Sequence, residues 1–359
     1  MTAAFPGLLI LVWVSSFGLT KLLCVPSSAP GLLDHPNERS LHVTPIPRTG
    51  GLAILASLLL GILAMHMAEW LGVVAWNTSG ADRPGVWPWI IGPALAVGAV
   101  SFWDDRANLS PGLRLGLQGI AAVGAVWGAD LVVTAVPVPL WGVVPLGALA
   151  VPLTVLGLMW MTNLYNFMDG MDGFAGGMAV LGFGMLGSLA WLGGAQQLAL
   201  VSLLIAVAAG GFLVFNLPPA RIFMGDVGSV PLGFLAGTLA LLGVRAGVFD
   251  LWVPLLIFSA FVVDATVTLF RRLLRGVKVW HGHREHYYQR LVLAGWGHRK
   301  TMAAEYSLML ASGVTALLYV HGTEPIRFGL LSLWVIGYIV LARGVHAVEL
   351  KAGKRGIEA

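Results

Sequence analysis

Asn163-Leu-Tyr-Asn166-Phe-Met-Asp169-Gly-Met-Asp172-Gly-Phe-Ala-Gly-Gly177 stands between two apolar runs, each long enough to cross a bilayer. Asn163, Asn166, Asp169 and Asp172 recur at a spacing of three, so they follow one slowly drifting side for as long as the backbone stays helical. Two carboxylates and two carboxamides then converge. Gly170, Gly173, Gly176 and Gly177 weaken the helix beyond Asn166 and let backbone N–H groups approach a ligand closely, as phosphate sites often require. A polar hinge of this kind at a membrane surface points to a site for an anion and a metal ion. The plain alternative is an Asn/Asp/Gly turn joining two membrane helices.

The rest of the chain supplies the membrane. Of its 359 residues 57% are hydrophobic and 11% charged, which excludes a soluble domain of this length and implies an all-α polytopic membrane protein, one domain over 1–359. Apolar runs predict about eleven spans: 5–25, 50–68, 87–103, 112–134, 149–166, 174–193, 197–216, 229–245, 250–270, 302–320 and 327–343. The first has the length of a signal peptide, but no basic residue precedes it and no cleavage site stands out, so it is expected to be a retained helix. A single cysteine, Cys24, excludes an intrachain disulfide and a cysteine-rich metal cluster. Ala135 to Leu146 is too rich in proline for a helix and reads as a loop or short hairpin.

With this topology Arg83, Arg245 and Arg327 share the side of the N-terminus, and the other 18 of 21 basic residues gather on the opposite side. The basic side is expected to be cytoplasmic and the N-terminus outside. Every polar motif falls on that basic side.

Asp104-Asp105-Arg106 closes the third span. Adjacent carboxylates at a helix C-terminus oppose one another and the helix dipole, so a cation, Arg106 or Arg114, is expected to offset them. Functionally, one member of such a pair is suited to exchange protons near neutrality, or the pair anchors phosphate and metal. Asp226, in Phe223-Met-Gly225-Asp226-Val-Gly228-Ser229, is either an N-cap with Ser229 at its third position or a hard oxygen ligand for Mg²⁺.

The stretch from Arg271 to Arg290 is the most basic. Arg271, Arg272, Arg275 and Lys278 fit a lipid-headgroup anchor, while His283, His286, Tyr287 and Arg290 share a helical face suited to phosphate. His281-x-His283-x-Glu285-His286 mimics a zinc-hydrolase motif, but the chain lacks the α/β layers in which that motif works. Asp264, inside the ninth span, is a candidate functional acid or a brace for Arg271. His35 to Gly51 forms a rigid, basic first loop.

Taken together, Pro47 to Gly51, Asp104-Asp105, Asn163-x-x-Asn166-Phe-x-Asp169-Gly-x-Asp172-Gly and Phe223-Met-Gly-Asp226-x-Gly-Ser229 resemble the polyprenyl-phosphate N-acetylhexosamine-1-phosphate transferase superfamily. The resemblance runs from about His35 to Lys300. It implies transfer of a sugar 1-phosphate from a UDP-sugar to undecaprenyl phosphate with Mg²⁺, Mn²⁺ being the alternative ion, and release of UMP. It also implies that Asn166 and Asp226 hold the metal, that Asp104 and Asp105 are catalytic, and that Arg114 contacts the diphosphate. Asp172 and Phe223 match positions that recognise uracil, and Asp169, His286 and Arg290 are expected to bind substrate. His286-Tyr-Tyr-Gln289-Arg290 departs from the His-x-His-His loop of the N-acetylglucosamine branch and is closer to O-antigen-initiating enzymes, with Tyr287, Tyr288 and Gln289 expected to select the donor sugar. No nucleic acid is expected, and a homodimer is left open. The competing readings are a secondary transporter of an anionic metabolite and a lipid-binding scaffold.

Overall fold

Lipid offers the backbone no hydrogen bonds, so the apolar runs fold as helices that satisfy their own N–H and C=O groups. The computed structural model describes residues 4–25, 33–34, 36, 45–73, 84–107, 109–277 and 283–358. His35, Glu38, Arg39, His42, Arg83, Lys278 and His281 lie outside the described residues. The helices are α1 (Ala4–Leu23), α2 (Gly50–Trp70), α3 (Trp87–Ala107), α4 (Pro111–Gly128), α5 (Ala150–Phe167), α6 (Phe174–Met178) and α7 (Gly184–Leu192). They continue with α8 (Gln196–Asn216), α9 (Asp226–Arg245), α10 (Trp252–Ile257), α11 (Ser259–Leu274), α12 (Tyr287–Leu291), α13 (Gly297–His321) and α14 (Glu324–Glu358). The described residues also form two short antiparallel ribbons: β1 (Leu33–Asp34) with β2 (Ile46–Pro47), and β3 (Ala135–Val138) with β4 (Gly142–Pro145).

The protein is an all-α polytopic membrane protein, and among the described residues 8 helical segments are long and apolar enough to span a bilayer. The three other expected spans fall on helices that differ from the expectation. The last turn of α3 carries Asp104, Asp105 and Arg106. The expected span 112–134 stops at Gly128, because Asp130 takes a left-handed φ of 54° and the chain turns towards β3. The expected span 250–270 breaks at Phe258, whose ring packs edge-on to Phe183 with centroids 5.9 Å apart and fills the notch left by Gly182. Ala135 to Pro145 forms the hairpin that its prolines allowed.

Burial separates centre from rim. In the span windows 89% of α9 and 72% of α8 is buried, against 6% of α14, so α9 is the post around which the others pack. Small residues permit this, as helices in lipid associate by close packing rather than by hydrophobic expulsion. Where α2 and α9 begin, their backbones nearly touch: a Cβ on Gly51 would lie 2.3 Å from Gly228 N. Gly50 N–H and Gly51 N–H donate to the carbonyls of Phe223 and Met224, each at 2.9 Å, and Phe223 N–H donates to Pro47 O at 2.7 Å. This explains the Gly-Gly pair in the first loop. Gly51→Ala is expected to destabilise the fold by about 1–3 kcal/mol through backbone displacement, whereas Gly116→Ala, whose Cβ meets nothing within 4 Å inside α4, should not lower the melting temperature. Thermal unfolding in detergent checks both, and equal melting temperatures would refute the close-contact account.

Candidate active site

Five segments meet at one end of the bundle: the start of α2, the α3–α4 junction, the end of α5, the end of α8 and the start of α9. Ser110 caps α4, with its side chain accepting from Leu113 N–H, and so fixes the first turn in which Arg114 sits. Arg114 Nη1 lies 2.8 Å from Asp104 Oδ2 and 3.9 Å from Asp226 Oδ2, placing one guanidinium between two carboxylates. Leu109 N–H donates to Asp104 Oδ1 at 2.7 Å. The partner of Asp105 is Arg48, with Nη1 3.2 Å from Oδ1 and Nη2 donating to the Asp105 carbonyl at 2.9 Å. Arg106 instead covers the Phe102 ring. Sequence reasoning missed Arg48, which carries no signal of its own in a generally basic loop.

Asp226 is not the cap of α9. Gly225 holds that position with φ 71°, and a Cβ there would sit 2.5 Å from the Arg48 carbonyl, so the turn requires glycine. Asp226 therefore enters the first helical turn, where the dipole favours its charge. Asn166 Nδ2 donates to Ser229 Oγ at 3.0 Å, and Ser229 in turn donates to Gly225 O at 3.2 Å. Asp169 accepts the Gly225 N–H. Burial, and then the charge of Asp226, push the Asp169 carboxyl well above the usual carboxylate range. Burial also pushes Asp105 up to about 6, with Asp226 reinforcing it and Arg48 opposing. Asp34 adds a further negative field to both.

A cavity of about 460 Å³ opens beside this cluster. Asp104, Arg114, Asn163, Asn166 and Asp226 form its polar end, and Val97, Leu115, Leu156, Met159, Trp160 and Leu269 line the remainder. Leu115 and Leu156 are 45% and 58% exposed, so the apolar side faces the surrounding lipid.

The four-residue register of the opening motif does not converge on one point, because α5 ends at Phe167. Asn163 Nδ2 is held by Gln118 Oε1 and Met159 O, both at 2.7 Å. Asp172 is buried, with Oδ2 accepting Ala220 N–H at 3.0 Å and Oδ1 3.1 Å from His298 Nδ1. Its carboxylate braces the loop ahead of α9. Asn216, unnoticed in the sequence, does similar work: it accepts Gly173 N–H at 3.0 Å and donates to Ile222 O at 2.8 Å. Phe223 is half-buried and joined through its backbone to Pro47 and Gly50.

Arg290 forms a two-pronged pair with Glu349 of α14, at 2.7 and 2.6 Å, and does not line the cavity. His286 is buried, with Nδ1 3.1 Å from Asp264 Oδ1. Asp264 also accepts Thr268 Oγ1–H at 3.0 Å and the N–H groups of Tyr287 and Tyr288 at 3.0 and 3.2 Å. It anchors the start of α12 and does not pair with Arg271, which bonds the Tyr287 hydroxyl. Tyr288 and Gln289 are buried rather than presented to a sugar: Tyr288 donates to Phe167 O at 3.3 Å, and Gln289 Oε1 accepts His286 N–H. A Cβ on Gly170 would meet the Tyr288 hydroxyl oxygen, so α12 is a wedge that sets the Asp169-Gly170 turn. Glu285 pairs with Arg272 and Arg275.

Among the described residues no three His, Cys, Asp or Glu side chains stand close enough to cage a metal alone. Asp226 and the side-chain oxygen of Asn166, both at the polar end of the cavity, are hard donors that fit Mg²⁺, which takes one or two carboxylates and keeps its waters.

Residues 87–244 match the family described as Glycosyl transferase family 4. The chain is 30% identical over 324 residues to the probable undecaprenyl-phosphate N-acetylglucosaminyl 1-phosphate transferase of Bacillus subtilis, covering 89% of this chain and 86% of that one. It is 30% identical over 346 residues to the decaprenyl-phosphate N-acetylglucosaminephosphotransferase of Mycobacterium tuberculosis, with coverages of 88% and 83%. Similarity to the phospho-N-acetylmuramoyl-pentapeptide-transferase of Thermosynechococcus vestitus is 31% over 247 residues, 61% of each chain. With an arginine held between two carboxylates at the head of an apolar cavity and relatives matched along most of its length, the chain belongs to the polyprenyl-phosphate N-acetylhexosamine-1-phosphate transferase superfamily.

Proposed function

We propose that the protein transfers the sugar 1-phosphate of a UDP-N-acetylhexosamine to undecaprenyl phosphate on the cytoplasmic side of the bacterial inner membrane, releasing UMP. The product would start a cell-envelope polysaccharide of O-antigen type. The observation that carries this reading is the two-natured cavity, whose charged end suits a phosphate and whose apolar, lipid-facing wall suits an isoprenoid chain.

In this reading an oxygen of the acceptor phosphate bonds to the β-phosphorus of the donor while the bridging oxygen leaves with UMP. Arg114 binds phosphate oxygens, and Asp104 and Asp226 on either side keep its guanidinium at the mouth of the cavity. The Asp104-Asp105 pair takes the last proton of the acceptor, with Asp105, pushed to about 6, able to hold it near neutrality. Asp226 and Asn166 would hold Mg²⁺, or Mn²⁺ as the alternative, and the ion would neutralise charge on the diphosphate.

The deciding assay supplies purified protein with UDP-N-acetylglucosamine, undecaprenyl phosphate and Mg²⁺. UMP should appear only when all three are present, and Asp226→Asn should lower its rate by at least about tenfold, since losing one charged contact costs 1.5 kcal/mol or more. No UMP from any UDP-N-acetylhexosamine, or normal turnover in Asp226→Asn, would overturn the reading.

A second prediction needs no turnover. Asp105 binds its proton more tightly when folded, about 6 against an ordinary 3.8, so the stability it contributes is full below 3.8 and is lost as pH rises through 6. Without divalent cations the melting temperature should therefore fall across this interval, and Asp105→Asn should flatten that fall. Mg²⁺ added at pH 7.5 should restore stability in the native protein and not in Asp226→Asn. An unchanged slope in Asp105→Asn would remove the proton-holding role.

A further inference from the structure

A second cavity, of about 420 Å³, lies apart from the first, between α11, α12, α13 and α14. Its wall is almost wholly apolar, with Val263, Leu308 and Val345 typical, yet Asp264 and Glu305 both border it. The two acids are treated very differently. Asp264 is met by Thr268, His286 and two backbone N–H groups. Glu305, near the start of the long helix α13, has no hydrogen bond or ion pair among the described residues, and the charged group that acts on it is Asp264, of the same sign. The hydroxyl of Tyr338, across the cavity, donates to Ser259 at 2.7 Å. A carboxyl in apolar surroundings is costly unless a donor or cation meets it, and no side chain among the described residues supplies one.

The way in is from the bilayer. Ile339 and Leu341, on the α14 wall, are 51% and 47% exposed. At the other rim stand Trp296 and Tyr287, and each carries a cation: Lys300 Nζ lies 4.1 Å from the Trp296 ring centre, and the Arg271 guanidinium 5.8 Å from that of Tyr287. Thus an acid without a partner, an apolar slot open to lipid and a rim bearing cations lie within one site. The charge pattern is the inverse of a zwitterionic headgroup.

We propose that this cavity holds a phospholipid with a primary-ammonium headgroup, the ammonium on Glu305, the phosphate towards Lys300 and Arg271, and an acyl chain leaving past Ile339 and Leu341. A primary ammonium offers N–H donors to the carboxylate, whereas a quaternary one offers none and is better received by an aromatic cage. The site does not depend on the transferase reading and shares no lining residue with the first cavity.

The test uses the full chain, delipidated in detergent and titrated separately with dioleoyl phosphatidylethanolamine, phosphatidylcholine and phosphatidylglycerol, with bound lipid counted by native mass spectrometry. Phosphatidylethanolamine should be retained about tenfold better than phosphatidylcholine, the ratio that one charge-assisted hydrogen bond sustains. Glu305→Gln should bring the two within about twofold of each other. Ala342→Phe, which fills the slot from α14, should reduce retention of phosphatidylethanolamine to that of the other lipids. Equal retention by the native protein overturns the proposal, as does a preference that survives in Glu305→Gln. Stronger retention of phosphatidylglycerol overturns it in favour of an anion site formed by the cationic rim alone.

Discussion

Two helix N-termini, those of α2 and α9, are pressed together until only hydrogen atoms fit between Gly51 and Gly228. Much of the candidate site hangs on that contact. It brings the Arg48 carbonyl against Gly225 and the Arg48 guanidinium to Asp105, and it places Asp226 in the first turn of α9, within reach of Arg114. A side chain at either glycine would separate the backbones and, with them, the cations from the carboxylates. The glycines of the first loop are thus part of the electrostatics, although they carry no charge.

The charge distribution that results is uneven by design of the fold. Asp104 shares Arg114 with Asp226, Asp105 has Arg48, and Asp169 accepts the Gly225 backbone N–H. Carboxylates crowded in this way raise one another's affinity for protons and for divalent cations alike. The same cluster therefore has two means of relieving its repulsion, and pH decides between them.

Much of the architecture was legible in the sequence, because length and hydropathy are local properties that lipid enforces residue by residue. The hairpin at Ala135 and the gathering of Asp104, Arg114, Asn166 and Asp226 at one end of the bundle followed from spans and loops alone. The basic loop did not. Helical spacing placed Arg290 on a plausible face, but its partner Glu349 lies 59 residues away and no local pattern announces it. Tyr288 and Gln289 looked available for a sugar because their polar atoms say nothing about being covered by the Asp169-Gly170 turn. Asn216 and Arg48 were overlooked for the complementary reason, since each matters only through a contact made across the fold. The length of α4 was misjudged because one left-handed residue, Asp130, ends an apolar run that composition would have continued.

The first cavity has a charged mouth and an apolar flank at Leu115 and Leu156. Guests of two kinds would reach it from two phases, one by diffusion through water and one by diffusion within the plane of the bilayer. For the lipid guest the governing concentration is a mole fraction in the membrane, unaffected by the volume of solution around it. Diluting vesicles with buffer would leave its occupancy unchanged, and diluting their bilayer with inert lipid would lower it.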